Sequence, residues 1–294
     1  MEALKPDARC AECLYRLAET AARLAVGDSA NPDAGRVEAA ARTIVARGIE
    51  RGSASPVIAN AMLTEISRLS GTDDPYTGFK NQEMDRAEAV CSGLDVGVPN
   101  DLRSGVSLAV IGNTLDFFQD PEQVLNDVPR LLRDGVSFAW DDVDRMDDFL
   151  SESPKRVLYL TDNAGEVYFD LTLYGILKAR TRQCTLVVKG GPALNDLTRK
   201  ELRIRGLEDR FEEITDTGTP GAGVDWDRVS DAFLARLEQA DLLVIKGMAN
   251  FESLYPRLLS AAAIFLFRVK CEPIQDLVGI PKGSFAAIWK EPAR

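Results

Sequence analysis

From residue 156 onward the chain keeps repeating one pattern: a short continuous apolar run, a polar break, then an amphipathic helical stretch. Arg156–Thr161 (RVLYLT), Cys184–Lys189 (CTLVVK) and Asp241–Lys246 (DLLVIK) have strand length and little polar alternation. A strand apolar on both faces must be covered on both faces, which a parallel sheet between two layers of helices achieves. Residues 166–179, 196–205, 227–239 and 250–259 supply helical patterns between the runs. Phe211–Thr215, Ile264–Lys270 and Phe285–Trp289 read as further strands. The pattern predicts a three-layer α/β/α, Rossmann-like core with a mostly parallel sheet.

Upstream of about residue 150 the texture is helical. Ala11–Val26 places Leu14, Leu17, Ala18, Ala21, Leu24 and Ala25 at helical spacing, and Gly27 stops the run. Ala34–Arg51 continues in the same style. Ser55-Pro56 opens a third helix that Gly71 closes, and a charged helix spans about Phe79 to Gly93. Ser104–Phe118 fits a strand or a buried helix by length, and its spacing favours the helix. These segments divide the chain into an all-helical N-terminal domain over 1–100 and an α/β/α domain over 101–294.

Composition narrows the chemistry. The 294 residues include no histidine, which removes Ser-His-Asp and Cys-His catalysis and every imidazole metal site. Acid–base work falls to carboxylates, Lys, Tyr, Cys or a metal ion. Against 35 Lys and Arg stand 46 Asp and Glu, a net charge of −11, which disfavours a nucleic-acid partner. Leu258–Phe267, the longest uncharged apolar stretch, is too short to span a bilayer, so no membrane association is expected. The polar N-terminus and five cysteines, an odd number, fit the cytoplasm.

In parallel sheets functional groups gather at the carboxyl ends of strands. Three such ends are polar here: Asp162-Asn163-Ala164-Gly165-Glu166, then Lys189-Gly190-Gly191-Pro192 with Asn195-Asp196, then Lys246-Gly247 with Asn250-Phe251-Glu252. Each alone is an ordinary helix cap or turn. Together they give a crevice of carboxylates, amides and lysines, suited to a hard divalent cation and a phosphate. No GxxxxGK[ST] loop is present, and the glycine-rich loop at 218–223 does not lead from a strand into a helix as a dinucleotide fingerprint requires.

The segments LYLTDNAGEVYFDLTL, VKGGPALNDLT, DLLVIKGMANFESL and RVKCEPIQDLVGIPKGSF, with IGNTLDF and the N-terminal CAEC upstream, resemble the damage-control phosphatase family. That family includes the eukaryotic protein-glutamate methyltransferase-like phosphatases. The resemblance covers nearly the whole chain and implies a metal-dependent phosphatase acting on a small phosphorylated metabolite such as a sugar phosphate. It implies a divalent cofactor (Mn2+, Mg2+, Co2+ or Ni2+) held by Asp162, Asn163 and Asp196. It places Lys246 at the substrate phosphate with Asn250 nearby, and Asn113, Asp116 and Glu166 along the substrate pocket; the strand-end Lys189 is a further substrate-binding candidate. Asp162, Asn163, Lys246 and Asp116 are the catalytic candidates. One departure is Glu201, in TRKEL, where the family would have aspartate in TLEDA.

Cys10 and Cys13 form a CxxC at the head of a helix, and a structural metal would need Cys91 and Cys271 beside them. They read as reduced thiols near the site, and Cys184, in an apolar run, as core. Hydrolysis by water or through an aspartyl-phosphate on Asp162 both fit the residues. A non-catalytic phospho-ligand binding protein and a carboxyl methyltransferase are the alternatives.

Overall fold

In the computed structural model, which describes residues 6–27, 32–93, 101–114, 130–131 and 134–293, seven strands form one sheet. They are β1 (Phe138–Asp141), β2 (Arg156–Leu160), β3 (Gln183–Val188), β4 (Glu213–Asp216), β5 (Leu242–Lys246), β6 (Ala262–Arg268) and β7 (Phe285–Lys290). Their spatial order is β1-β7-β6-β5-β2-β3-β4. Strands β6, β5, β2, β3 and β4 run parallel, while β7 is antiparallel to β6 and carries β1 parallel to itself. From β2 the chain moves outward to β3 and β4, then returns to β5 on the opposite side of β2. The sheet therefore reverses direction between β2 and β5, the position where such folds open a crevice at the strand carboxyl ends.

The apolar runs lack alternation because both faces are buried. Val157 and Tyr159 of β2 join one core with Leu186 and Val188 of β3 and Leu242 and Val244 of β5. Helices α5 (Leu102–Gly112) and α7 (Val167–Arg180) cover that face, with α6 (Val143–Glu152) beside them. Leu158, Leu160, Leu243 and Ile245 point into the opposite core. There they meet α9 (Asp231–Gln239), α10 (Met248–Leu254) and α11 (Glu272–Val278). The remaining short helix, α8 (Arg199–Ile204), links β3 to β4.

The N-terminal helices α1 (Ala8–Val26), α2 (Pro32–Glu50) and α3 (Ser55–Ser70) make a third core around Ala18, Val37, Val45, Met62 and Ile66. Asp7 caps α1 by accepting the Arg9 amide at 2.8 Å. Pro56 lies in the first turn of α3, and Gly71 ends it. Helix α4 (Thr77–Ser92) turns toward the sheet, burying Met84 and Ala87 in the core under α5 and α7.

The predicted mostly parallel sheet and helical N-terminal region are both present. The segment 104–118 is helical over Leu102–Gly112, and 115–118, with Asp116, lies outside the described residues. The helix expected from Asp196 starts only at Arg199, because Asn195–Leu197 is drawn alongside the end of β2. Strand β1 and helices α6 and α11 have no counterpart in the sequence reading. Among the described residues no helix is long and apolar enough to cross a membrane.

Candidate functional site

The site forms where the chain leaves β2. Thr161 still pairs with β3, its amide and hydroxyl both donating to the Val187 carbonyl. Beyond it, the 195–197 segment lies antiparallel to the chain. Asn163 pairs with Asp196, the Leu197 amide donates to the Asp162 carbonyl at 2.9 Å, and Ala164 donates to Asn195 at 2.8 Å. Backbone bonds thus bring Asp162, Asn163 and Asp196 together, and all three side chains are buried.

Neighbouring β5 ends in Lys246 and Gly247. Gly247 has φ +81° and ψ 162°, a conformation nearly restricted to glycine, and a Cβ there would fall 1.9 Å from Asp162 Oδ2. The bare backbone of β5 is what leaves room for the Asp162 carboxylate.

Two amides and a lysine fix Glu166. Asn113, at the end of α5, donates to Glu166 Oε1 at 2.7 Å and to Asp162 Oδ2 at 3.0 Å, while its own oxygen accepts the Arg268 amide at 3.0 Å. Asn163 donates to Glu166 Oε1 at 2.8 Å, leaving its amide oxygen as the acceptor. Lys246 Nζ donates to Glu166 Oε2 at 2.8 Å and to Asp170 Oδ1 at 2.6 Å, and Tyr159 adds its hydroxyl to Asp170 at 2.7 Å. Lys246, Glu166 and Asp170 are wholly enclosed.

Lys189 Nζ donates to the Gly223 carbonyl at 2.8 Å and to Asn250 Oδ1 at 2.9 Å, and stands 3.4 Å from Asp196 Oδ2. Asn250 donates in turn to the carbonyls of Thr161 and Lys246, tying β2 to β5. Glu201 caps α8 through Thr198 and pairs with buried Lys80 at 2.8 Å. The glutamate thus serves as an internal anchor between α8 and α4.

Four buried carboxylates (Asp162, Glu166, Asp170 and Asp196) share this volume with two buried ammoniums, Lys189 and Lys246. The electrostatics register the imbalance. Burial pushes the Asp162 carboxyl well above its ordinary range, with Glu166 and Asp196 adding to the rise and Lys270 and Lys189 opposing it. Burial lifts Asp196 to about 6 against the pull of Lys189, and Asp170 to about 6 against that of Lys246. Burial works against the Lys246 ammonium, but Asp170 and Glu166 outweigh it and raise its pKa.

A divalent cation fits this donor set. Asp162, Asn163 and Asp196 offer hard oxygens from one strand end and its paired segment, and buried Asp196 Oδ2 has only the long ion pair with Lys189 at 3.4 Å. The set is two carboxylates and an amide. Among the described residues no group of three or more acidic or cysteine side chains is arranged to hold a metal.

Sequence reasoning missed Asp170, Tyr159 and Lys270. Asp170 lies four residues beyond Glu166 on a helix whose inner face is otherwise apolar, a spacing that places both acids on one side. Lys270 follows β6, and its charge favours the ionised form of Asp162. It also lines a cavity of about 690 Å³ between the sheet edge and α1, together with Met248 and Arg268. Lys246 is not among the residues lining that cavity. Cys10, Cys13 and Cys271 share the cavity, whereas Cys91 packs against the core under α5 and α7. The four thiols are therefore not brought together, and none of the five cysteines is in a disulfide. Cys184 is buried in β3, as expected.

The Damage-control phosphatase ARMT1-like domain model matches residues 7–285. A damage-control phosphatase of Archaeoglobus fulgidus is 30% identical over 250 residues, covering 81% of this chain and 84% of that protein. One from Pyrococcus horikoshii is 30% identical over 240 residues, covering 80% and 82%. The crystal structure of a DUF89 family protein from Pyrococcus horikoshii superposes with a TM-score of 0.86 at 26% identity, over 98% of this chain and 99% of that one. With a family model spanning nearly its whole length, this chain belongs to the ARMT1-like damage-control phosphatase family.

Proposed function

We propose that the protein is a metal-dependent phosphatase that transfers the phosphoryl group of a small phosphorylated metabolite to water. Family membership supports phosphatase chemistry. The observation that carries the finer reading is the meeting of Asp162, Asn163 and Asp196 in a buried site with more carboxylates than cations. A divalent cation held by these three residues would supply Lewis-acid activation of the phosphoryl group and offset its charge.

The chain's own residues have separable tasks. Lys270 offers a cation to the phosphoryl oxygens from the cavity side, where its charge already reaches Asp162. Glu166 has both oxygens occupied by donors, so its task is to orient Asn113 and Asn163 rather than to take a proton. Lys246 acts one step back, holding Glu166 and Asp170 in place. Lys189 and Asn250 hold the Asp196 segment against β5. Five cysteines outside any disulfide also fit a reducing compartment such as the cytoplasm.

The test is release of inorganic phosphate from p-nitrophenyl phosphate and a sugar-phosphate panel, with Mn2+, Mg2+, Co2+ or Ni2+ and with a chelator. Metal-dependent release that is lost in Asp162→Ala supports the proposal. Release indifferent to both chelator and substitution overturns it. Ligand-induced thermal stabilisation without turnover identifies a binding protein instead, and methyl transfer from S-adenosylmethionine identifies a transferase.

A further inference from the structure

The cavity lined by Lys270, whose charge acts on Asp162, is basic in an acidic protein, and Asp162 itself is not part of its lining. Its lining includes Met248, which follows the Gly247 packed on the Asp162 carboxylate, together with Arg268 and Lys270. Its remaining cations are Arg9, Arg16 and Lys282, against a single lining glutamate, Glu252. These five cations are not equivalent. Arg9 is neutralised by Asp7, Glu272 and Asp276 at 2.6, 3.3 and 2.7 Å. The Arg268 guanidinium donates to the Gly283 carbonyl and lies over the Phe285 ring. Lys270 acts on Asp162. Arg16, on α1, and Lys282, on the loop between α11 and β7, are exposed and make no ion pair among the described residues.

A volume of about 690 Å³ lies in the range of pockets that take whole metabolites, and a phosphoryl group at Lys270 would occupy only part of it. The cavity therefore presents two cations that have no acidic partner among the described residues to whatever the phosphoryl group is attached to. We propose that the substrate carries a second anionic group, a carboxylate or a second phosphate, remote from the scissile phosphoryl group and bound by Arg16 and Lys282. This rests on the phosphatase reading and narrows its substrate class. The recognition is charge-assisted and draws on both parts of the fold, because α1 contributes one cation and the segment before β7 the other. It gives the N-terminal helices a direct part in selecting substrate.

A matched series on one carbon frame tests it: glucose 6-phosphate, glucose 1,6-bisphosphate and 6-phosphogluconate, with p-nitrophenyl phosphate as the turnover control. The parent is expected to show kcat/KM at least tenfold higher for one or both doubly anionic compounds than for glucose 6-phosphate. A preference for only one of them tells phosphate from carboxylate. In the Arg16→Gln/Lys282→Gln double variant the preference ratio should collapse toward one through a rise in KM. Both positions are exposed, so the fold is expected to tolerate the changes. Equal kcat/KM across the series while p-nitrophenyl phosphate is hydrolysed overturns this inference alone. A double variant that keeps the parental preference overturns it as well. If no phosphomonoester is hydrolysed with any metal, the phosphatase reading fails. Thermal stabilisation by the same three compounds then decides the subsite separately, and equal shifts count against it.

Discussion

Replacing Lys246 with methionine tests the electrostatic core of the site. The ammonium is fully enclosed and donates to Glu166 at 2.8 Å and Asp170 at 2.6 Å. Methionine approximates its volume and keeps the apolar stem, so the change isolates the charge. Two carboxylates would then be buried beside each other with their cation gone, and breaking a buried pair in this way costs about 3–5 kcal/mol. For a chain of 294 residues, an unfolding entropy of roughly 2 cal/mol/K per residue turns that into a loss of about 5–8 °C in Tm. The deficit should also depend on pH. Burial already lifts Asp170 to about 6, and loss of Lys246 raises it further. A carboxyl whose folded pKa is raised binds its proton more readily in the folded state. It therefore costs stability where the unfolded chain is ionised, and that cost disappears below the unfolded value. The gap between parent and variant should be widest above pH 6 and narrow toward pH 4. Adding Asp170→Asn should recover part of the loss, since it removes one of the stranded charges while keeping an acceptor for Tyr159. Thermal and denaturant unfolding across pH 4–8 measure all three quantities. A variant as stable as the parent at pH 8 would mean that Lys246 is a strand-end lysine reaching solvent, and the site built on it would fall.

Other perturbations reach the same site from different sides. Gly247→Ala forces a Cβ to 1.9 Å from Asp162 Oδ2 and leaves alanine in a glycine-only backbone region, a cost of roughly 1–3 kcal/mol before the clash. Phosphatase activity should fall by more than two orders of magnitude, and parental activity would show that the Asp162 carboxylate does not lie on that glycine. Asp196→Asn removes a charge from a crowded anionic site, so the metal-free protein should be at least as stable as the parent while stabilisation by Mn2+ is lost. Equal Mn2+ affinity in calorimetry would exclude Asp196 as a ligand. Burial pushes the thiols of Cys91 and Cys184 up to about 12 and that of Cys271 to about 11. Iodoacetamide at pH 7.5 should therefore modify exposed Cys13 first by peptide mass mapping, and Cys91 labelling ahead of Cys13 would contradict the packing.

How far the fold could be read depended on how much each element says locally. Strands β2, β3 and β5 are buried on both faces and write that condition into uninterrupted apolar runs. Strand β1 escaped because it has only four residues at the sheet edge, exposed along most of its length, and its pairing with β7 lies far away in sequence. Helix α11 escaped because seven residues with proline in the first turn carry too little periodicity. Asn195-Asp196 read as the opening of a helix because Asx residues favour caps. The structure instead pairs Asp196 with Asn163, a bridge between segments more than thirty residues apart that no local preference encodes.

The two lysines at strand ends show why the site was legible in composition but not in the direction its side chains take. Side chains alternate along a strand, so the face that Lys246 takes follows from its neighbours. Leu242 and Val244 enter the core under α5 and α7, Leu243 and Ile245 the opposite one, and Lys246 continues the first series. It is therefore directed beneath the strand ends, toward α7, where Glu166 and Asp170 receive it. Parity was available from the sequence; knowing which helix covers which face was not, because that depends on the crossover from β4 back to β5. Lys270 lies beyond the end of β6, lines the cavity, and acts through its charge on the Asp162 carboxylate. The same topology that reverses the sheet between β2 and β5 thus gives the two lysines different work. One neutralises charge among buried carboxylates, and the other lines the cavity where its charge acts on Asp162.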